Sequence, residues 1–355
     1  VYKQYQFVQT KELGFNKEGV LILNIGDSGK ILSSVQSFKN AVGNLPEVKV
    51  LSVSTDVLGT GYTNNSYYVL KEGQTNAAQN GVMTTYFSVD TGFIPTYNFE
   101  LLEGRNFNAD LASDSSGVII NQVLADKLGL NNPIGERIKL FGDDSETVHI
   151  IGVIQNFNFQ SLHNEVAPTA LYLGYRNFWN LSLQFDSQNL KSLMGKLEHT
   201  WGSFDTEVPL SSEFLDDKLA RFYEKDQRFS QMIGGFAILS VILSLVGLFG
   251  LTAFSMEQKL KEVSIRKVLG ADIVSLIILF NKQVVFVFLG SVIVAMPISY
   301  LLVGDWLSNF AFHIPNTWWM YLGSAMCILG LIVATVSITS LKAANSNPAK
   351  YLRDD

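Results

Sequence analysis

Three runs in the last third of the chain contain no charged residue: Met232 to Phe254, Val284 to Val303, and Trp318 to Leu341. Each has about 20 residues or more, enough for a helix to cross a ~30 Å hydrocarbon core at ~1.5 Å per residue. One such run fits a helix buried in a large soluble core; three in succession predict membrane spans. Pro297 falls inside the second and predicts a kink that neighbouring helices accommodate. Gly247 and Gly250 in the first run, and Gly323 and Gly330 in the third, lie on helical faces. They either admit close helix contact or reflect ordinary glycine use in membrane helices.

Residues 1–212 show a different pattern, in which strand and helix periodicities alternate. Gly19 to Ile25, Val48 to Ser54, Val82 to Val89, Gly117 to Ile120, Val148 to Ile154, Ala170 to Leu173 and Leu181 to Phe185 read as strands. Glu207 to Leu210 reads as a weaker one, confined to an edge by Pro209. Ser28 to Val42, Asn121 to Leu128 and Asn189 to Trp201 read as helices. Gly59 to Ser66 and Gly73 to Gly81 are polar, Gly/Asn-rich loops. Without a long parallel run, this predicts an α+β domain of two subdomains, followed by an all-α three-helix transmembrane region. Between them, residues 213–231 are charged and helical in pattern and run straight into the first span. They predict one continuous stalk helix, either coupling the two regions or acting as a passive spacer.

Lys and Arg set the orientation. Lys259, Lys261, Arg266, Lys267 and Lys282 crowd the connector after the first span, and Lys342, Lys350 and Arg353 the tail. The connector from Gly304 to Thr317 has neither residue type. By the positive-inside rule the first connector and the tail (342–355) are cytoplasmic, and the N-terminal domain lies outside. Lys218, Arg221, Lys225 and Arg228 precede the first span, but Asp216, Asp217, Glu224 and Asp226 interleave with them. Trp306, Trp318, Trp319 and Tyr321 flank the outer connector as an interfacial belt would. The chain opens at Val1 without a secretory signal pattern. An outer domain needs an element to export it, so an apolar segment upstream is expected.

Composition agrees with a mixed molecule. Of 355 residues, 47% are hydrophobic and only 16% charged, with a mean hydropathy of +0.20. The net charge of −6 and the lack of a basic arm give no reason to expect nucleic-acid binding. A single cysteine, Cys327, leaves no intrachain disulfide or zinc cluster. His149, His163, His199 and His313 are scattered, and HExxH, CxxC and G-x-S-x-G are all missing. Gly26-Asp27-Ser28-Gly29-Lys30 departs from a phosphate loop in its glycine spacing and in the Ile31 that follows lysine, and reads as a strand-to-helix turn. No catalytic residue, metal or cofactor is expected. ATP-driven work would need a partner.

The most informative segment is cytoplasmic. Ser255 to Gly270, SMEQKLKEVSIRKVLG, sets Met256, Leu260, Val263, Val268 and Leu269 on an approximate apolar stripe, with Glu257, Lys259, Lys261, Glu262, Arg266 and Lys267 elsewhere. Gly270 is a plausible C-cap. A short amphipathic helix is expected between two spans, either resting on lipid headgroups or docking into a groove on a cytoplasmic partner.

At this point the chain resembles a known family. Gly247 to Ala271, GLFGLTAFSMEQKLKEVSIRKVLGA, is similar to the signature of FtsX-like/MacB-like ABC transporter permeases, the mechanotransmission (type VII) group, with E-x-x-I-R-K-V-L-G-A at Glu262 to Ala271 the specific part. GVIQNFNFQSLH at Gly152 to His163, LEGRNF at Leu102 to Phe107, GVIIN at Gly117 to Asn121 and the tail around Asn347-Pro348-Ala349 match as well. The resemblance implies a MacB-type periplasmic core at 1–212, a bacterial inner-membrane location, and a transmembrane region at 232–341. It implies that 255–270 is a coupling helix docking on a separate ABC ATPase subunit through Met256, Leu260, Glu262, Val263, Ile265, Arg266, Lys267, Val268, Leu269 and Gly270. Glu262, Arg266 and Lys267 are the contacts carried over. Further implied partners are a second permease unit, identical or homologous, and membrane lipids. Such permeases have a further span before the outer domain. Their work is export or extraction of a lipophilic, peptide or lipoprotein cargo; an FtsX-type regulator activating a cell-wall hydrolase is the alternative. A membrane-anchored enzyme is a more distant reading.

Overall fold

The computed structural model describes residues 2–59, 66–74, 76–141, 147–174, 178–186, 189–268 and 273–344. The chain forms two compact units. One comprises Tyr5–Lys225 with Phe310–Phe312; the other comprises Val1–Gln4, Asp226–Asn309 and His313–Asp355. The strands are β1 Val20–Asn24, β2 Val48–Ser54, β3 Ser66–Lys71, β4 Val82–Val89, β5 Leu101–Gly104, β6 Gly117–Asn121, β7 Arg137–Phe141, β8 Thr147–Ile154, β9 Thr169–Leu173, β10 Asn180–Phe185 and β11 Ser212–Phe214. The helices are α1 Tyr2–Thr10, α2 Gly29–Ser33, α3 Val35–Gly43, α4 Ala77–Asn80, α5 Phe93–Tyr97, α6 Gln122–Lys127, α7 Leu190–Phe204, α8 Leu215–Ala220, α9 Glu224–Val268, α10 Ile273–Ser308 and α11 Trp318–Ala344.

In the first unit the two expected subdomains are two parts of one hydrogen-bonded sheet. Four strands run β11-β1-β10-β2, all antiparallel. A single pairing, Ser54 with Val89, joins β2 to β4. From β4 the order β4-β3-β7-β8-β6-β9 closes on itself through the parallel β4–β9 pair, with β5 hung on β8. Closure gives these six strands a partner on both sides, which removes free edges.

Alternating side chains build three cores. Leu21 and Leu23 of β1, with Leu181 and Leu183 of β10, face Phe38 and Val42 of α3 and Leu193, Leu197 and Trp201 of α7. The opposite face joins an aromatic cluster of Phe87, Phe93, Tyr97, Phe99, Phe157 and Phe159. Val118 and Ile120 of β6 pack with Val69, Ile138, Val148 and Ile150 across the closed strands, while Ile119 points into the aromatic cluster. Strands buried on both faces read as continuous apolar runs, which is why β1 and β6 stand out in the sequence.

The segments resembling the family's outer domain are structural devices. Gly104 has φ +76°, and a Cβ there would meet the Ile151 carbonyl oxygen at 2.2 Å, so only glycine lets β5 lie this close to β8. Next to it, Arg105 makes a forked pair with the fully buried Asp114, Nη1 and Nη2 each 2.6 Å from a carboxylate oxygen; Asp114 also accepts from the Asn108 N–H at 2.8 Å. The Arg105 hydrogen bonds hold the Asp114 carboxyl down at about 2. An unfolded aspartate takes its proton near ~3.9. The contribution is therefore complete above about pH 4 and is lost as pH falls from about 4 to about 2. Arg105→Ala is expected to cost roughly 1–3 kcal/mol at neutral pH, tempered by the half-exposed guanidinium, and to flatten stability across that acid window. Thermal unfolding followed against pH reads both.

Asn121 ends the GVIIN strand and is fully buried. Its Oδ1 accepts from Leu124 N at the start of α6 and from Thr169 N of β9, and its Nδ2 donates to the Ala167 carbonyl. One side chain thus caps a helix and fastens it to the strand that closes the circuit. Asn121→Ala orphans buried backbone groups, and an expected loss of about 2–3 kcal/mol is checked by denaturant titration.

Several elements correct the sequence reading. Ser28 to Val42 is two helices, broken at Ser34. Residues 207–210 form no strand; the Val208 carbonyl instead accepts the Trp201 indole N–H at 2.7 Å. The stalk is not one helix from 213. Glu213 lies in β11, paired with Ile22 of β1; α8 follows, and a 3-10 turn at Arg221–Tyr223 precedes α9. Leu215, Leu219 and Tyr223 are buried at four-residue spacing, and Lys218 and Arg221 pair with Glu213, so this stretch packs as part of the outer unit. Strands β3, β5 and β7 and helices α1 and α5 were not expected, and the expected loop Gly73 to Gly81 contains the short helix α4. Residues 60–65 and 75, within the two expected polar loops, lie outside the described residues.

Candidate coupling site in the membrane unit

Among the described residues, three helical stretches are long and apolar enough to cross a membrane: Leu215–Lys259, which starts in the outer unit and runs on through α9, Ile277–Ser308 of α10 and Trp318–Leu341 of α11. Pro297 sits inside α10, which continues through it. Within the chain, none of the apolar window of α9 or α10 is buried, and only 11% of that of α11. Apolar helical faces of this extent are stable only against lipid or other helices.

The end of this unit that carries Lys259 and Lys282 has a small core of its own. Met256 of α9, Phe280 of α10 and Val336 of α11 are buried together, with Leu248 and Val284 against them. Asn281 of α10 donates to the Ser337 hydroxyl of α11 at 3.1 Å and to the Ile277 carbonyl at 3.0 Å. Lys259 Nζ lies 5.6 Å from the Phe280 ring centroid, a cation–π contact. At the other end, Asn316 accepts from the Tyr321 hydroxyl at 2.7 Å and donates to the Tyr300 carbonyl at 3.3 Å, joining α10 to α11. Trp318 and Trp319 stack beside them.

The expected coupling segment does not form a separate helix: α9 runs unbroken from Glu224 to Val268. Nothing in Gly247 to Val268 breaks a helix, so the span and the charged segment share one ladder. Met256, expected to dock on a partner, is 3% exposed and packs inside its own bundle. The signal that finds it is the run Val241, Leu245, Leu248, Thr252 and Met256, spaced four, three, four and four, which is buried or half-buried along one face. This stripe carries the span's packing face into the segment read as amphipathic. Leu260, Glu262, Val263, Ile265, Arg266, Lys267 and Val268 belong to α9 by backbone, their side chains lying outside the described residues; Leu269 and Gly270 lie outside them altogether.

In the outer unit, the loop ending the GVIQNFNFQSLH segment is a junction. The Leu162 N–H donates to the Tyr223 hydroxyl at 2.9 Å in a buried site. The Leu162 and His163 carbonyls accept from Phe312 N and Ala311 N at 3.3 and 3.2 Å. The His163 ring stacks on Phe310 at 4.1 Å, and its Nδ1 lies 2.7 Å from the Ser161 hydroxyl. Lys11 covers Phe312 at 4.5 Å. The residues between α10 and α11, and the turn before α9, thus meet at one loop. The glycine-rich turn at Gly26–Lys30 is likewise structural. Ser28 caps α2 and donates to Asp205 at 2.6 Å, and Lys30 pairs with Glu207 at 2.8 Å.

A closed-sheet outer domain carrying three membrane-length helices, with cations at one end, defines a multi-pass membrane protein with a large extracytoplasmic domain. Residues 14–200 match the MacB-like periplasmic core domain, more than half of the chain, and residues 234–348 match the FtsX-like permease C-terminal domain. The chain therefore belongs to the FtsX-like/MacB-like ABC transporter permeases, with the outer domain outside the cytoplasm and the helices in the inner membrane. It is 22% identical over 298 residues to the uncharacterized ABC transporter permease YknZ of Bacillus subtilis, covering 79% of this chain and 71% of that one. It is 24% identical over 338 residues to the uncharacterized ABC transporter permease YvrN of the same organism, covering 86% and 78%. Among solved structures, the extracellular domain of YknZ matches 52% of this chain and 93% of its own length at a TM-score of 0.37 and 16% identity. The periplasmic region of MacB from Actinobacillus actinomycetemcomitans matches 61% and 98% at 0.42 and 11%.

Proposed function

We propose that this permease transmits the motion of a separate cytoplasmic ABC ATPase to its outer domain, which then moves a lipophilic, peptide or lipoprotein cargo outside the membrane. The observation that carries this reading is the junction at Leu162 and His163. Phe310–Phe312, the stretch between α10 and α11, and Tyr223, one residue before α9, are held by the same outer-unit loop. A displacement of helix ends would reach that loop from both sides. At the cytoplasmic end, Glu262, Arg266 and Lys267 contact the ATPase, and Met256 positions that segment by packing against Phe280 and Val336. A second permease unit and lipid cover the exposed faces of α9 and α10. ATP hydrolysis resides on the partner.

Met256→Asp places a charge in this small core and is expected to separate the three helix ends. Its measure is faster cysteine labelling of Val336→Cys in a background where Cys327 is Ser. The proposal as a whole is tested by purifying the protein from native membranes in mild detergent and identifying stoichiometric partners. An ATPase subunit carrying a phosphate loop supports it. A folded permease without one refutes it.

A further inference from the structure

Beside the small core, the membrane unit has a groove of about 1190 Å³ formed by α10 with the end of α9 and one turn of α11. Its walls are apolar, among them Ile278, Phe286, Val287 and Leu289, all exposed. Two lysines from different helices, Lys259 and Lys282, line the same groove, and among the described residues no Asp or Glu does. Neither lysine forms an ion pair among the described residues; Lys259 rests on the Phe280 ring instead.

We infer that this groove holds an anionic phospholipid of the cytoplasmic leaflet, its phosphate between Lys259 and Lys282 and an acyl chain along Ile278, Phe286 and Val287. The inference rests on the placement of this helix end on the cytoplasmic side, and deepens the reading of lipid as a partner into a single site. Charge complementarity favours this occupant. A purely apolar helix would leave two cations at the mouth of a low-dielectric groove unmatched, and a zwitterionic lipid brings its phosphate together with a cation of its own, whereas an anionic lipid offers the two lysines a phosphate diester with no compensating cation and its chain covers the exposed walls. The floor adds polarity at headgroup depth, because Asn281 and Ser337 both line the groove and bond to each other there.

The site would also have a consequence for the permease reading. Lys259 lies just before Glu262, Arg266 and Lys267, the residues assigned to the ATPase contact, and Lys282 just before the uncharged run of the second span. A lipid bridging them would tie α9 to α10 beside the small core of Met256, Phe280 and Val336.

The test places a photoreactive benzoylphenylalanine at Phe286 in the full chain, reconstituted into nanodiscs of phosphatidylglycerol and phosphatidylcholine in equal amounts. Adducts are identified by mass. The expected result is a preference of roughly tenfold or more for phosphatidylglycerol adducts, reduced about five-fold by either Lys259→Gln or Lys282→Gln and abolished by both. Lys→Arg at both positions should preserve it. Both lysines are exposed, so these variants leave the fold intact, and unchanged thermal unfolding verifies that. Equal labelling of the two lipids, or a preference indifferent to the double Gln variant, would overturn the inference. So would an adduct to a second polypeptide, which would assign the groove to another helix while leaving the ATPase-coupling proposal intact.

Discussion

Reversing the charge of Arg266 and Lys267 together is expected to abolish co-purification of the ATPase subunit while leaving the outer domain folded. These residues lie near the end of α9, on the cytoplasmic side, in the E-x-x-I-R-K-V-L-G-A run that resembles the family's coupling segment. At the proposed interface, two glutamates would replace two favourable contacts with two repulsive ones. Truncating one partner of a close interfacial charge pair costs about 2–5 kcal/mol, so a double reversal is expected to weaken association by three orders of magnitude or more. Among the described residues, the three cores of the outer unit are built from that unit's own side chains. Its unfolding transition should therefore be unchanged. Retained ATPase at wild-type stoichiometry would remove these residues from the interface.

The second large effect is expected at the other end of the same helices. Combining Tyr223→Phe with Phe310→Ala removes the hydroxyl that receives the Leu162 N–H and the ring that stacks on His163. Leaving a buried N–H without its acceptor costs ~1–3 kcal/mol, and losing an aromatic contact adds ~0.5–1.5 kcal/mol. That sum is small beside the outer unit's cores but large for one loop junction. The variant should keep its ATPase bound and hydrolysing, yet lose most of the work done outside. Separate assays of ATP hydrolysis and of cargo handling distinguish this outcome from the first. If the variant loses both together, the junction is structural; if it loses neither, transmission runs through the helices alone.

The contrast between the ends mirrors what the amino-acid order can express. The spans were legible because an uncharged run is a local property, and their direction because lysines cluster locally. β1, β2, β4, β6 and β8 were legible because both faces are buried or their alternation is clean. β3, SYYVLK, is rich in strand-favouring residues but was overlooked between two polar, Gly/Asn-rich loops, and β7 was lost in the charged run Arg137–Phe141. β7 owes its place to the closed circuit more than to its own composition. That circuit depends on pairing Thr85–Val89 with Thr169–Leu173 in parallel, a contact across more than eighty residues that no local pattern announces. The junction at Leu162 and His163 was invisible for the same reason, since Tyr223 and Ala311 arrive from far along the chain. Met256 shows the opposite failure. Its position fits two stripes, one continuing the span and one starting the amphipathic segment, and packing against Phe280 and Val336 selects the first.

In the proposed mechanism, nucleotide events in the cytoplasm reach the outer unit through the junction at Leu162 and His163. Hydrogen exchange at the amides of Leu162, Ala311 and Phe312 reads it directly, because each donates one of the hydrogen bonds that form it. The complex reconstituted with its ATPase would be compared in ATP-bound and nucleotide-free states. Exchange at these three amides is expected to change with nucleotide in the wild-type protein and not after reversal of Arg266 and Lys267. Identical exchange in both states, in a complex that hydrolyses ATP, would contradict this mechanism.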